Sequence, residues 1–151
     1  KTFDVSVRLE YAVTPTLTVQ LYTAPFVSAG RYDRLRRITR PRAAVYSDRY
    51  RLLGDAARYD PTDNRIHVDE NGDGQDDYVF SRPDFNFRDF NSNLVIRWQY
   101  SPGSSIYVVW QQARSDLVAD GDFALADDLG GLFDRHPHNI LLVKMNYWFS
   151  L

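Results

Sequence analysis

The first 26 residues alternate between apolar and polar side chains with a period of two, except at one short break. This spacing predicts β-strands with one apolar face, and a helical period fits it badly. The break lies at 14–16, where Pro15 favours a turn, so the two arms are predicted to form a hairpin. On the first arm the apolar positions are Phe3, Val5, Val7, Leu9, Tyr11 and Val13.

The same alternation returns in the second half of the chain. Residues 93–100 and 105–112 are predicted strands, joined by a tight turn with the sequence Ser-Pro-Gly-Ser. Residues 139–151 form the last predicted strand. With the first hairpin, these segments predict an all-β fold, an antiparallel up-and-down meander of about five long strands.

Two long segments with a looser pattern, 28–92 and 114–138, separate the predicted strands. Within the first, residues 64–80 predict two short strands around an acidic, glycine-rich loop, whereas residues 43–53 fit either a short strand or a helical turn. Residues 81–92 are aromatic and are predicted to be irregular. The second segment is predicted to be a polar loop rich in Asp and Gly.

The connections between strands alternate in the order short, long, short, long. A meander therefore places the short turns at one end and the long loops at the other, as in bacterial outer-membrane barrels. Aromatic residues near the strand ends would form interfacial girdles in such a barrel. Half-buried strands of a soluble β-sandwich alternate as well, so that interpretation stays open. The aromatic residues are Tyr11, Tyr100, Trp110, Tyr147, Trp148 and Phe149.

Composition narrows the class of protein. At 151 residues the chain has the size of one domain. Its formal net charge of -2 provides no overall basic field for nucleic acid. Cysteine is absent, which excludes disulfides and thiolate chemistry. No apolar run reaches the ~18 residues of a membrane helix, but a spanning strand needs only ~9–11 alternating residues.

Catalytic signatures are missing from the sequence. It contains no nucleophile elbow, no His-Glu-x-x-His motif and no paired-acid signature. The glycines at 72 and 74 lie among carboxylates, which would repel a phosphate. We therefore expect no catalytic residues and no enzymatic activity.

The acidic loop at 69–77 has the spacing of a calcium loop. Calcium prefers six to eight oxygen ligands, and Gly74 lies at the sixth position, where such a loop bends sharply. Phe80 replaces the bidentate Glu of an EF-hand, so the affinity is expected in the ~10⁻⁴–10⁻³ M range of extracellular modules. A solvated hairpin tip is the alternative, because Asn-Gly favours a tight turn. The predicted calcium ligands are Asp69, Asn71, Asp73, Gln75 through its backbone carbonyl, and Asp77.

Arginines are concentrated in residues 31–42. Guanidinium groups bind phosphate bidentately, so this segment is a candidate contact for lipopolysaccharide. The simpler interpretation is ion pairing with the acidic residues of 116–134. The segment has six arginines. The candidate phosphate contacts are Arg31, Arg34, Arg36, Arg37 and Arg40, and the acidic residues are Asp116, Asp120, Asp122, Asp127, Asp128 and Asp134.

The three histidines give a weaker metal signal. His136 and His138 have a metal-ligand spacing, but they are separated by Pro137 and have no obvious third ligand. His67 stands alone in the sequence.

On the barrel interpretation, the polar side chains of the alternating strands face a lumen. They would tune the passage of a solute or fill the interior with a hydrogen-bonded network, and the sequence does not separate these roles. The predicted lumen-facing residues are Arg8, Glu10, Arg97 and Gln99, with Lys144 and Asn146 on the last strand.

Three segments carry a resemblance to a known family: LTVQLYTAPFVSAGRY, FNFRDFNSNLVIRWQYSPGSSIYVVWQQARS and the terminal LLVKMNYWFSL. They resemble the C-terminal part of uncharacterised bacterial outer-membrane β-barrels, in which a family-nine-type carbohydrate-binding module precedes a many-stranded barrel. The resemblance implies that residues 1–151 are the C-terminal portion of such a barrel, with 28–92 and 114–138 as extracellular loops. Nothing in the chain matches the carbohydrate-binding module.

The last eight residues also resemble the signal that the barrel-assembly machinery reads. That signal has a polar residue, then a glycine, then two hydrophobic residues that alternate to the end. Lys144, Phe149 and Leu151 fill the polar and hydrophobic positions, and Asn146 stands where glycine is usual.

Five strands cannot close a barrel, because small single-chain barrels have about eight. We therefore expect the remaining barrel strands, or other envelope chains, to complete the sheet. The predicted function is that of a non-enzymatic outer-membrane barrel segment for surface display, solute passage or partner anchoring. Lipid, lipopolysaccharide and the barrel-assembly machinery are its predicted partners. The alternative is a soluble, calcium-stabilised extracellular β-sandwich that binds glycan or protein.

Overall fold

The computed structural model describes residues 1–149, which divide into two compact units. The main unit contains Lys1–Ala29, Asn86–Val118 and residues 122–149, and the inserted unit contains Gly30–Phe85 and Ala119–Gly121. Leu151, the last residue of the predicted assembly signal, lies outside the described residues.

Strands account for most of the regular structure in the described chain. Short 3₁₀ turns occur at Tyr46–Arg49 and Gly54–Ala56. In chain order the elements are β1 (Thr2–Asp4), β2 (Val7–Thr14), β3 (Leu17–Gly30), β4 (Arg36–Ile38), β5 (Tyr50–Leu52), β6 (Ala57–Asp60), β7 (Arg65–Val68), β8 (Tyr78–Ser81), β9 (Phe85–Ser101), β10 (Ser104–Val118), α1 (Leu125–Phe133) and β11 (His138–Asn146).

The main unit confirms the predicted all-β, antiparallel character of the chain. Its strands follow the order β1-β3-β9-β10-β11, and β2 also pairs with β3. β1 and β2 keep one register along β3, so together they are the single strand that the sequence predicts. This register places Val5 opposite Pro25, whose missing N–H removes a ladder hydrogen bond and explains the interruption.

The main sheet is open in the described residues. Its two edges are formed by β1 and β2 on one side and by β11 on the other. The predicted short turns lie at 15–16 and 102–103, between the paired strands. A closed barrel is therefore not formed by these strands alone.

Two predicted boundaries are wrong. The aromatic segment 85–92 was predicted to be irregular because Asn86 and Arg88 interrupt the apolar alternation. It belongs to β9, and both residues continue the pairing with β10. The last strand ends at Asn146 rather than at residue 151. Asn146 lies opposite Ser105, next to the first residue of β10, so Tyr147, Trp148 and Phe149 lie beyond the pairing.

The predicted loop 114–138 is largely regular structure. β10 continues to Val118, and α1 packs back on the sheet through buried Leu132. The ring of Phe133 lies 4.9 Å from that of Phe90 on β9, edge to face. Among residues 1–149, no helix combines the length and the apolar character needed to cross a membrane.

A buried carboxylate fixes the segment that leads into α1. Asp128 accepts hydrogen bonds from the Asn86 side chain at 2.8 Å and from the Ala124 backbone N–H at 2.9 Å. The Arg88 guanidinium lies 2.9 Å from the same carboxylate. A buried charge requires this kind of pairing, so the polar residues of β9 serve to anchor α1.

The inserted unit has a small core of its own. It contains the three-stranded sheet β6-β7-β8 and the pair β4-β5. Leu53, Ile66 and Val68 form the buried cluster, with Tyr78 and Phe80 packed against it. The predicted hairpin at 64–80 is confirmed, and residues 43–53 contain both a 3₁₀ turn and the short strand β5.

Candidate functional site: a bare sheet face and an acidic loop

The main sheet has a continuous apolar face where its last three strands pair. Residues directly opposite one another in an antiparallel pair lie on the same face of the sheet. The alternation of each strand therefore brings its apolar residues together across the ladder. This apolar face consists of Leu94, Ile96 and Trp98 on β9, Ile106, Val108 and Trp110 on β10, and Leu141, Val143 and Met145 on β11.

Much of the apolar face is open to solvent. On β11, Leu141, Val143 and Met145 are 69%, 64% and 61% exposed. On the first hairpin, Leu9 and Tyr11 are also exposed by more than half. Scattered exposed apolar residues are ordinary, but contiguous ones mark a surface that contacts protein or membrane.

The apolar face ends at a polar rim. The Trp110 indole N–H donates to Asn139 Oδ1 at 3.1 Å, and the Gln112 amide donates to the same oxygen at 3.3 Å. Further along β9, Phe133 of α1 packs on Phe90. One face of the sheet is thus bare toward the short turns and covered by α1 toward the long connections.

Predicted lumen residues lie together on the opposite face of the first hairpin. The Gln20 amide donates to Glu10 at 2.6 Å, and the Arg8 guanidinium lies 5.9 Å from the centre of the Tyr22 ring. These side chains and Asn93 line an open pocket of ≈ 330 Å³.

A second basic group lies on the same kind of face in the later strands. Arg97 and Lys144 both lie opposite Tyr107. A hydrogen bond with Arg97, one with Ser105 and the charges of Arg97 and Lys144 lower the pKa of Tyr107. Beside this group, Val95, Val109 and Leu142 pair as an apolar row. The opposite face is therefore mixed rather than uniformly polar.

Backbone hydrogen bonds and strand pairing also locate the predicted lumen residue Gln99 and the residues of the predicted assembly signal. The Gln99 N–H donates to Thr16 at 2.8 Å. Lys144 and Asn146 are paired residues of β11, whereas Phe149 follows the strand and stacks on Tyr147 at 6.3 Å between ring centres. The lumen and assembly roles of these residues stay predictions.

The acidic loop at 69–77 is built on the Asp69 carboxylate. Its two oxygens accept from the backbone N–H groups of Gly72 at 2.7 Å and Gly74 at 2.9 Å. These bonds, led by that of Gly74, lower the pKa of Asp69. Gly72 and Gly74 have φ of 76° and 85°, a conformation that glycine adopts readily. Asp69 thus shapes the loop, and its predicted role as a calcium ligand stays a prediction.

The remaining predicted calcium ligands converge on the Asn71 side chain. Its amide nitrogen donates to Asp73 Oδ2 at 3.2 Å and to Asp77 Oδ1 at 3.5 Å. Gln75 lies in the same turn, and its N–H donates to Asp73 Oδ1 at 2.8 Å. One oxygen of Asp73 and one of Asp77 therefore face the same amide nitrogen of Asn71, whose hydrogens carry the partial positive charge between them.

Glu70 links this loop to the arginine-rich segment. Arg37 lies 2.8 Å from Glu70, and Arg51 pairs with the same carboxylate. Hydrogen bonds from the Tyr78 hydroxyl, first, and from Arg37 lower the pKa of Glu70. In the acidic segment, Asp128 lies 2.9 Å from Arg88 of β9. Asp116 pairs with Arg135 at 3.2 Å and lies 4.0 Å from Arg88.

His67 is not isolated, contrary to the expectation from sequence. Its Nδ1 lies 2.5 Å from Asp76 and its Nε2 lies 3.0 Å from Asp63. Hydrogen bonds with Asp76, first, and Asp63 raise the pKa of His67. In the sequence, Asp63 lies four residues before His67, and this spacing was the signal that could have indicated a partner. The bend between β6 and β7 is what brings the two side chains together.

Fold and surface together define an antiparallel β protein with a bare apolar face. Residues 49–150 match a family described as a domain of unknown function, DUF5916. Because this match spans more than half of the chain, the chain belongs to the DUF5916 family. No curated protein and no solved structure matches the chain.

Proposed function

We propose that the chain is a non-enzymatic segment of a β-barrel in the bacterial outer membrane. The apolar face of the main sheet contacts lipid hydrocarbon, and the opposite face lines the interior. One observation carries this proposal: the apolar side chains of β11 are largely exposed while they stand in register with those of β10 and β9. Contact with a lipid surface removes all of these apolar side chains from water at once.

The dimensions of the bare region support a membrane. β11 has 9 residues, and a tilted membrane-spanning strand needs ~9–11. Trp98 and Tyr100 lie toward the short turn of β9, and Trp110 lies at the polar rim. Aromatic side chains at both borders of an apolar band are typical of membrane barrels.

The open edges require further strands. In hydrocarbon every unpaired backbone group costs several kcal/mol, so only closed sheets are stable there. The remaining barrel strands, or other envelope chains, pair with the edges at β2 and β11. The barrel-assembly machinery recognises Lys144, Asn146, Phe149 and Leu151 during insertion.

The inserted unit is the part of the chain displayed at the cell surface. Its arginine-rich segment contacts lipopolysaccharide phosphates, since guanidinium binds phosphate bidentately. The interior face serves either the passage of a solute or the anchoring of a partner through residues such as Arg8, Glu10, Arg97 and Gln99.

Calcium stabilises the acidic loop in this proposal. Asn71, Asp73, Asp77 and the Gln75 carbonyl hold the ion, and Asp69 shapes the loop around it; calcium supplies charge neutralisation there. Calorimetric titration of the 151-residue chain is expected to give one calcium site that Asp73→Asn and Asp77→Asn weaken. Asp4→Asn, at an exposed residue of the main unit, serves as the control. Equal calcium affinity in all variants would remove calcium from the proposal.

Tryptophan fluorescence tests the membrane assignment. In single-tryptophan variants reconstituted in vesicles, brominated lipid tails are expected to quench Trp98 and Trp110, which lie on the apolar face. Trp148 serves as the internal control, because its backbone N–H donates to Ser104 beyond the end of β11. Quenching by aqueous acrylamide alone, at all three positions, would contradict a lipid-facing sheet.

A soluble, calcium-stabilised β-sandwich module for glycan or protein is the second candidate. The observation that favours it is the inserted unit, which has its own buried cluster of Leu53, Ile66 and Val68. In that case a second sheet covers the apolar face. The chain then stays monodisperse without detergent, whereas the membrane protein aggregates.

A further inference from the structure

The bend between β6 and β7 gathers three metal-ligating side chains. Asp60 is the last residue of β6, Asp63 lies in the bend and His67 is on β7. One ligand atom from each lies within 4.8 Å of the other two. The cluster belongs to the inserted unit and shares no residue with the five predicted calcium ligands.

The backbone orients both carboxylates. One Asp60 oxygen accepts from the Thr62 N–H at 2.8 Å, and one Asp63 oxygen accepts from the Arg65 N–H at 3.0 Å. The second oxygen of Asp63 remains for His67 Nε2, 3.0 Å away. The cluster is therefore held by the chain itself rather than by flexible side chains that meet in solvent.

The far side of the imidazole is anchored from another loop. Asp76, which lies between β7 and β8, is 2.5 Å from His67 Nδ1. A metal-bound histidine usually donates its other N–H to a carboxylate, which fixes the tautomer and the ring orientation. With Asp76 on Nδ1, Nε2 faces Asp63 and forms a hydrogen bond with it, so a metal at Nε2 would displace the proton of that bond. The Asp76 contact lies outside the three-residue cluster and indicates a ligand at Nε2.

We propose that Asp60, Asp63 and Nε2 of His67 bind a divalent transition metal of the zinc class. Nitrogen and carboxylate ligands suit zinc, and three protein ligands leave one position open for water or another ligand. Calcium is disfavoured because it takes six to eight oxygens. Arg58 lies 3.7 Å from Asp60, so metal binding requires this ion pair to open. This site goes beyond the proposed membrane function and does not depend on it.

Zinc binding by the 151-residue chain tests the proposal, with a chromogenic chelator as competitor. The expected result is one zinc ion per chain that excess calcium does not displace. His67→Gln and Asp63→Asn abolish this site, and Asp76→Asn weakens it by ~10–100-fold. With cobalt in place of zinc, Asp76→Asn keeps the ligand-field absorption, because it retains all three ligands.

Two controls make the outcome decisive. The double variant His136→Gln/His138→Gln removes the other histidines and is expected to bind zinc normally. Circular dichroism monitors folding, and Asp63→Asn, in an exposed bend, decides the matter if His67→Gln unfolds. Unchanged zinc affinity in Asp63→Asn, loss of binding in the double variant, or no zinc binding by the unmodified chain would each overturn the proposal.

Discussion

The two ends of the main sheet share one alternation but differ in what surrounds it. Toward the short turns, Val143 and Met145 are largely exposed. Toward the long connections, α1 lies on the same sheet and buries Leu132 completely. A period of two therefore specifies an apolar face of the sheet, whereas segments far away in the sequence determine what covers that face.

The helix-covered end also tolerates charge that the bare region lacks. Asp128 is buried, but Arg88 and Asn86 satisfy it. On the bare region, apolar residues from three strands stand together without a buried charge among them. Predictions that compare the two ends therefore test whether lipid, rather than water, surrounds the bare region.

The largest effect is expected where a buried charge loses its partner. Arg88→Ala leaves Asp128 buried and removes its ion pair, which costs about 3–5 kcal/mol in the free energy of unfolding. Urea unfolding measures this loss. The double variant Arg88→Met/Asp128→Leu removes both charges and is expected to recover much of the stability; equal losses in both variants would refute the role of the pair.

Leucines at the two ends provide the next contrast. Leu132→Ala opens a cavity under α1, and such changes cost about 2–5 kcal/mol. Leu141→Ala removes an exposed side chain and opens no cavity in the protein, so with both variants in the same detergent it is expected to cost clearly less than Leu132→Ala. Equivalent losses would mean that the bare face is covered by protein.

A charge placed on the bare face distinguishes lipid from water. In vesicles, Val143→Lys is expected to destabilise the assembled protein by about 2–4 kcal/mol if it lies near the bilayer centre. Leu142→Lys is the matched control, because it lies next to Val143 but on the opposite face, paired with Val109. Destabilisation by Leu142→Lys alone would reverse the assignment of the two faces.

A smaller effect is expected from pH, in the inserted unit. Since the pKa of Glu70 is lowered in the folded chain, its contribution is present above the unfolded value of about 4.3 and is lost as pH falls through the folded pKa. With chelator present, Glu70→Gln should lower stability at pH 7. The variant and the unmodified chain should converge once the pH has fallen below the lowered pKa of Glu70 in the folded chain. A constant difference across this range would contradict the linkage.

Local periodicity was sufficient to predict the antiparallel strands and both tight turns. It failed where tertiary contacts override the alternation: Arg88 is polar yet sits in β9, because Asp128 and Asp116 compensate its charge. α1 was missed although Leu125, Leu129, Leu132 and Phe133 have helical spacing, because its two glycines and the Asp-rich residues around it favoured a loop.

The two candidate metal sites also differ in how far the sequence alone could reveal them. The acidic loop was visible because its residues are contiguous, and Gly74 has the positive φ that its position requires. The cluster of Asp60, Asp63 and His67 was not recognised, since it depends on a bend and on Asp76 from another loop.

The most direct test of the lipid-facing sheet is spin labelling along β11. The sequence contains no cysteine, so single cysteines can be introduced one at a time from 138 to 146 and labelled with nitroxide in reconstituted vesicles. We expect oxygen accessibility to peak at 141, 143 and 145, and accessibility to a water-soluble nickel complex to peak at the positions between them. High nickel accessibility at 141, 143 and 145 would contradict contact with lipid.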